Sequence, residues 1–128
     1  MAAITLVAPK LVSPVGYENV FFAYASEALE AGDVVVINTD TVPSSAFDCV
    51  VEVAAAAIGH GIVLKDCGAG GKAEVCYRGE MDGYSGLTAG AALTIASGVI
   101  DNTAPANTQV GAAVIRAVNA TRIRFDLT

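Results

Sequence analysis

The sequence predicts an all-β protein: a small β-barrel or sandwich built from two pseudo-repeated halves, with an extended N-terminal arm and at most one or two short helices. Short apolar segments recur between turns rich in Gly, Pro, Asn and Asp, which is typical of barrels and sandwiches. Several segments alternate apolar and polar residues, the period of a strand. A Leu-x-Ala-Gly pattern followed by an apolar segment occurs twice.

The N-terminal segment, residues 1–25, lies outside the repeat, and we expect it to form the arm beside a single β domain of residues 26–128. Pro9 and Pro14 interrupt its apolar residues and disfavour a central strand or a helix. Such a segment must bury its side chains on its own barrel or on another molecule, and we expect the second. The predicted contact residues are apolar or aromatic: Ile4, Leu6, Val7, Leu11, Val12, Phe21, Phe22 and Tyr24.

The first half spans residues 29–78. Its Leu-x-Ala-Gly turn at residues 29–32 precedes an apolar strand, and strand-like segments follow at 58–64 and 74–78. Residues 21–31 contain helix-forming residues and are followed by Gly32, so a helix of two or three turns is permitted there.

The second half, residues 87–127, repeats the same order. Its Leu-x-Ala-Gly turn matches the first, and residues 110–116 resemble residues 58–64. In the last segment, apolar residues from Ile123 to Leu127 alternate with charged ones, which predicts a half-buried strand. We expect Gly32 and Gly90 to occupy equivalent tight turns, since glycine tolerates the backbone conformation that such turns need.

Residues 68–72, Gly-Ala-Gly-Gly-Lys, only superficially resemble a phosphate-binding loop. The pattern requires a glycine where this chain has Asp66, and a hydroxyl residue where it has Ala73. A phosphate loop also opens a helix, whereas residues 73–78 alternate as a strand does. The sequence therefore predicts a glycine-rich hairpin turn.

We predict no catalytic site, no cofactor and no metal. The single histidine, His60, would need a cysteine with a lowered pKa to form a thiol hydrolase. None of Cys49, Cys67 and Cys76 lies in an electropositive or helix-start setting, and the close Cys-x₂-Cys spacing of structural zinc sites is missing. Free thiols in a reducing compartment are the simplest interpretation.

Composition limits the classes of partner. The chain has 128 residues and a net charge of -6, with its seven Lys and Arg scattered, which argues against direct nucleic-acid binding. Charged residues make up only 16%, against roughly 25% in typical domains, which suggests that other subunits cover part of the surface. We expect no membrane association, because the longest uncharged stretch, residues 83–100, contains four glycines.

The ordered segments EALEAGDVVVI, IGHGIVLKDCGAGGKAEVCYRG, LTAGAALTIASGVID, VGAAVIRA and RIRFDL cover most of residues 26–127. This order resembles the small capsid cement, or head decoration, proteins of tailed bacteriophages. The resemblance implies a compact, non-enzymatic β-barrel or β-clip domain, often a trimer, that binds the major capsid protein and stabilises the head. It also implies synthesis in the host cytoplasm and a place on the outer capsid surface of the virion.

Two alternatives remain open. The Leu-x-Ala-Gly-Asp turn is also similar to that of other β-clip domains, some of which bind sugars, so a ligand-binding or carbohydrate-binding accessory domain is one alternative. The other is a phage fibre or tail component.

Overall fold

The computed structural model describes residues 5–13, 19–55, 59–96, 98–101 and 114–127, and these contain strands but no helix. The all-β prediction is confirmed. The strands are β1 (Thr5–Ser13), β2 (Val20–Ala25), β3 (Val34–Asn38), β4 (Cys49–Val53), β5 (Gly61–Val63), β6 (Lys72–Cys76), β7 (Arg78–Ser85), β8 (Thr94–Ala96), β9 (Val99–Asp101), β10 (Val114–Ala117) and β11 (Ile123–Asp126).

The strands form a closed barrel, an open sheet and a two-stranded ribbon. The barrel order is β2-β4-β3-β5-β6, the open sheet is β1-β7-β11-β10, and the ribbon is β8-β9. The β2–β4 pair is parallel, and the other pairs between described strands are antiparallel. Closure leaves the barrel without an edge strand, so among the described strands the long edges belong to the open sheet.

Small aliphatic side chains fill the barrel. Five strands enclose a narrow interior, which small side chains fill best. The buried residues of this barrel core are Ala23, Ala25, Leu29, Val35, Val51, Val63, Ala73 and Val75.

A second core, the sheet core, lies between the barrel wall and the open sheet. It takes Val34, Ile62 and Cys76 from the barrel strands, together with larger residues such as Met81 and Phe125. Strands β3, β5 and β6 are therefore buried on both faces, because successive residues point into different cores. For this reason Cys76, which alternates with Ala73 and Val75 of the barrel core along β6, is fully buried in the sheet core.

The helix permitted over residues 21–31 is not formed. Residues 20–25 form β2, which pairs with β6 on one side and β4 on the other. Ala23 and Ala25 point into the barrel core while Tyr24 between them is half-buried. Pairing with two neighbouring strands overrides the weak helix preference of the alanines and glutamates.

The two halves share local structure at their turns. Gly32 and Gly90 both have positive φ, 94° and 82°, so the prediction of equivalent turns is confirmed. The Gly32 N–H donates to the Val63 carbonyl at 2.8 Å, and the Gly90 N–H donates to the Ala117 carbonyl at 2.8 Å. Val63 therefore corresponds to Ala117 in the structure. The sequence match of residues 58–64 with residues 110–116 pairs Val63 with Ile115 instead, two residues earlier.

Strand order and direction also agree between the halves. The structure extends the repeat beyond the sequence patterns, because the first half begins at β2 and the second at β7. In the first half β2, β6, β5 and β3 are neighbours in that order, each pair antiparallel. In the second half the order is β7, β11, β10 and then an antiparallel bridge from Arg116 to Ala92, equivalent to the Ile62–Val34 pair. Among the described strands, the molecule is a structural duplication with one half closed and one half open.

The described part of the N-terminal segment is extended and pairs within its own chain. Residues 5–13 form β1, the edge strand of the open sheet, antiparallel to β7. The register shifts between Leu6 and Lys10, around Pro9, which agrees with the confinement of proline to edges and bulges. The boundary expected at residue 25 is the last residue of β2, so the expected arm contains a barrel strand as well as β1. Both strands are paired within the sheets of the molecule.

Candidate functional site

The glycine-rich segment is a hairpin turn. The Gly71 N–H donates to the Gly68 carbonyl at 2.9 Å, and Gly70 has a φ of 81°. Lys72 opens strand β6, and its Nζ lies 4.5 Å from the centre of the Phe22 ring. The predicted hairpin turn is therefore confirmed, and the structure adds that this lysine lies on an aromatic ring.

The histidine and the thiols have structural surroundings. The Ile37 N–H donates to His60 Nδ1 at 2.9 Å, so this nitrogen acts as an acceptor and fixes the ring. The three cysteines are free, and burial raises the pKa of Cys49, Cys67 and Cys76. A raised pKa keeps a thiol protonated at neutral pH and makes it a weak nucleophile.

Carboxylates gather at the first Leu-x-Ala-Gly turn, where they accept backbone hydrogen bonds. Asp33 Oδ2 accepts from the Glu30 N–H at 2.8 Å, and Asp66 Oδ1 accepts from the Ala31 N–H at 3.0 Å. Burial raises the pKa of Asp33. In the part of the chain that the structure describes, no group of three or more His, Cys, Asp and Glu residues could hold a metal ion.

The first candidate surface is the β1 edge, the outer side of strand β1. This strand pairs with β7 on one side and, among the described strands, with none on the other. The predicted contact residues Leu6, Val7, Leu11 and Val12 all lie in it, whereas Ile4 lies outside the described residues. An open strand edge presents N–H and C=O groups that can pair with another chain.

The second candidate surface is the aromatic face on the outside of the barrel, formed by Phe22, Tyr24 and Phe47. Tyr24 meets Phe47 edge to face, with ring centres 5.4 Å apart. Phe21 differs from its neighbours, because it packs against the barrel core and stacks on Tyr77 at 6.3 Å. The predicted contact residues are thus divided between the open sheet, the barrel exterior and the margin of the barrel core.

A third surface, the arginine face, was not singled out by the sequence patterns. Strand register places all four arginines, Arg78, Arg116, Arg122 and Arg124, on one face of β7, β11 and β10, among three carboxylates. Arg124 donates from Nε and Nη2 to Glu80 Oε2 at 3.0 and 2.8 Å. The alternating charges of residues 122–126 indicate only part of this face, because Arg78 and Arg116 lie on strands that are distant in the sequence.

Charge is divided unequally between the halves. Residues 20–76, which contain the whole barrel, carry eight Asp and Glu and two Lys, so their net charge is 2 − 8 = −6. The remaining residues carry five acidic and five basic side chains, a net charge of zero. The barrel is therefore the acidic part of the molecule and the open sheet the neutral one.

The sequence matches no protein-family model and no curated protein. No helix among the described residues is long and apolar enough to cross a membrane. The candidate functional site therefore depends on the geometry of the strands. It is the β1 edge, whose backbone groups can pair with another chain.

Proposed function

We propose that this protein is a non-enzymatic decoration protein that binds the outer surface of a bacteriophage head and stabilises it. The observation that supports the proposal most is the β1 edge, a strand edge supplied by the segment that precedes both halves of the duplication. Extended edges of this kind bind a partner by adding to its sheet or accepting a strand from it. The partner is the major capsid protein, and the decorating unit is a homo-oligomer, with a trimer favoured.

The physical basis of head stabilisation is selective binding. A protein that binds the assembled shell but not its separated subunits stabilises the shell by mass action. Repetition over a symmetric lattice lets oligomeric decorations gain avidity from individually weak contacts. The closed barrel suits this role, because it gives the contact strand a rigid support without long edges of its own.

A carbohydrate-binding domain is the second candidate, and the aromatic face supports it. Phe22, Tyr24 and Phe47, all half-buried, group on the barrel exterior beside Lys72, and aromatic side chains with a few nearby polar groups are typical of ligand sites. Against this role, Tyr24 and Phe47 contact each other edge to face instead of lining two sides of a cleft. The third possibility is a fibre or tail component. The position of the chain in the density of the phage particle distinguishes this role from a role on the capsid.

Cosedimentation with undecorated phage heads tests the proposal. The full chain is compared with a truncated chain lacking residues 1–15 and with a Phe22→Ala/Tyr24→Ala variant as the matched control. We expect the full chain and the aromatic variant to bind heads, and the truncated chain to keep its β-sheet circular dichroism but lose binding.

Three results would contradict the proposal. They are failure of the full chain to bind heads, undiminished binding by the truncated chain, and unfolding of the truncated chain, which would assign β1 to stability alone. Tight binding of a sugar by the full chain, abolished in the aromatic variant, would support the second candidate instead.

A further inference from the structure

The closed half shows which strand positions a complete barrel requires. Strand β2 has β6 on one side and β4 on the other. Strand β4 also pairs with β3, with Val35 opposite Val53, and thereby closes the barrel. Since β4 lies between β3 and β5 in the chain, it cannot leave without opening the barrel.

The open half fills the same position with a different strand. Strand β7, the equivalent of β2, has β11 on one side and β1 on the other. Strand β1 therefore occupies on β7 the place that β4 occupies on β2. It comes from outside the duplicated halves and runs antiparallel to its partner, whereas β4 runs parallel.

The contact between β1 and the rest of the molecule is separable. Among the described strands, β1 pairs with β7 alone, and its register shifts twice, between Leu6 and Lys10 and between Leu11 and Ser13. Residues 14–19 connect it to β2. The strand pairings that close the barrel, and the β7–β11 pairing, do not include β1.

We propose that β1 is an exchangeable strand, which pairs with β7 of a second copy of this chain in the same register. The edge of β7 already pairs with β1 within one chain. Exchange between copies therefore makes the same contacts and needs no new complementary surface. The exchanged strand links copies into a closed homo-oligomer.

Cysteine pairs placed by the strand register test the proposal. Thr5 lies opposite Ser85, whereas Glu80 lies opposite Ser13 at the far end of β1. In a background of Cys49→Ser, Cys67→Ser and Cys76→Ala, the Thr5→Cys variant is mixed under reducing conditions with Ser85→Cys, or with Glu80→Cys as the matched off-register control. The mixtures are then oxidised, and disulfide-linked heterodimers are measured by non-reducing electrophoresis and mass spectrometry.

We expect a covalent heterodimer from the registered pair and at least tenfold less from the off-register pair. No heterodimer from the registered pair, or equal yields from the two pairs, would overturn the proposal.

A doubly substituted chain gives an independent measurement. When Thr5→Cys and Ser85→Cys are combined and oxidised in dilute solution, the disulfide holds β1 on its own β7. We expect this locked chain to be monomeric by light scattering and the reduced chain to self-associate; equal association of both refutes exchange. Because no phage head is present in these experiments, their outcome is separate from that of the head-binding test.

Discussion

Single glycines mark places where barrel strands approach their neighbours too closely for a side chain. A Cβ at Gly61 would collide with Val75 across the β5–β6 pair, and one at Gly98 would collide with Val53. Gly98 also has a positive φ of 80°, so two separate requirements select glycine there. Gly68, in contrast, has open space around it, and its place in a turn does not depend on steric fit.

Gly61→Ala tests this steric argument. The added methyl group must displace Val75 in a tightly filled barrel, and overpacking of this kind costs about 1–3 kcal/mol. Gly68→Ala is the control, because a methyl group there meets nothing and stiffens the unfolded chain, so its stability changes by at most about 1 kcal/mol. Urea unfolding curves measure both variants, and equal stability of the two would contradict the argument.

Tyr84 lies in the sheet core with its hydroxyl buried, and among the described residues this hydroxyl has no hydrogen-bond partner. Burial raises the pKa of Tyr84 above the ordinary tyrosine value. Above pH of about 10, the unfolded chain loses this proton while the folded chain keeps it, so the free energy of unfolding falls by up to about 1.4 kcal/mol per pH unit. Below that pH, the raised pKa leaves stability unchanged.

Tyr84→Phe removes both effects. At pH 7 we expect no loss of stability, because the removed hydroxyl made no hydrogen bond within the described structure. Between pH 10 and 11.5 we expect the variant to lose less stability than the parent, as measured by denaturant unfolding at each pH. Parallel pH profiles for the two proteins would show that Tyr84 is not the group responsible.

At the level of strands, the pair β7–β11 carries the arginine face. Arg124 and Glu80 lie directly opposite each other and form two hydrogen bonds, but the Arg124 side chain is 69% exposed. Exposure to solvent weakens such a pair, since water and salt screen its charges. The pair fixes register more than it adds stability.

A double-mutant cycle of Arg124→Ala and Glu80→Ala measures the pair. We expect a coupling free energy of about 0.2–1 kcal/mol that falls as sodium chloride is raised from 50 mM to 1 M. A coupling above about 3 kcal/mol, typical of breaking buried pairs, or one independent of salt would contradict the exposed geometry.

For the whole molecule, the two cores share a wall. Strands β3, β5 and β6 place one residue in the barrel core and the next in the sheet core, as Val63 and Ile62 do. Unfolding of the sheet core would expose the apolar face of these strands that points into it. Opening of the barrel would separate the same strands and so disrupt that face. The barrel and the open sheet should therefore unfold together.

Leu29→Ala in the barrel core and Ile123→Ala in the sheet core test this cooperativity. Both side chains are at most 1% exposed, and each truncation costs about 2–5 kcal/mol. We expect each variant to shift one common transition, seen at the same temperature by far-UV and near-UV circular dichroism. A second transition in either variant would mean that the two cores unfold separately.

The sequence by itself determined the local features of this protein. Turn chemistry indicated the equivalent glycines at residues 32 and 90 and the hairpin at residues 68–71, because positive φ is a property of single residues. Periodicity indicated strands, and repetition of the patterns indicated two halves. These signals need no knowledge of which strands become neighbours.

Only the tertiary structure decided how distant segments pair. Residues 20–25 became a strand because β4 and β6 lie on either side of them, and the match between the halves moved by two residues at Val63. A shift of two residues keeps every side chain on its face, so periodicity cannot detect it. The docking of β1 on β7 and the gathering of the arginines depend likewise on pairing over long separations, which no local pattern encodes.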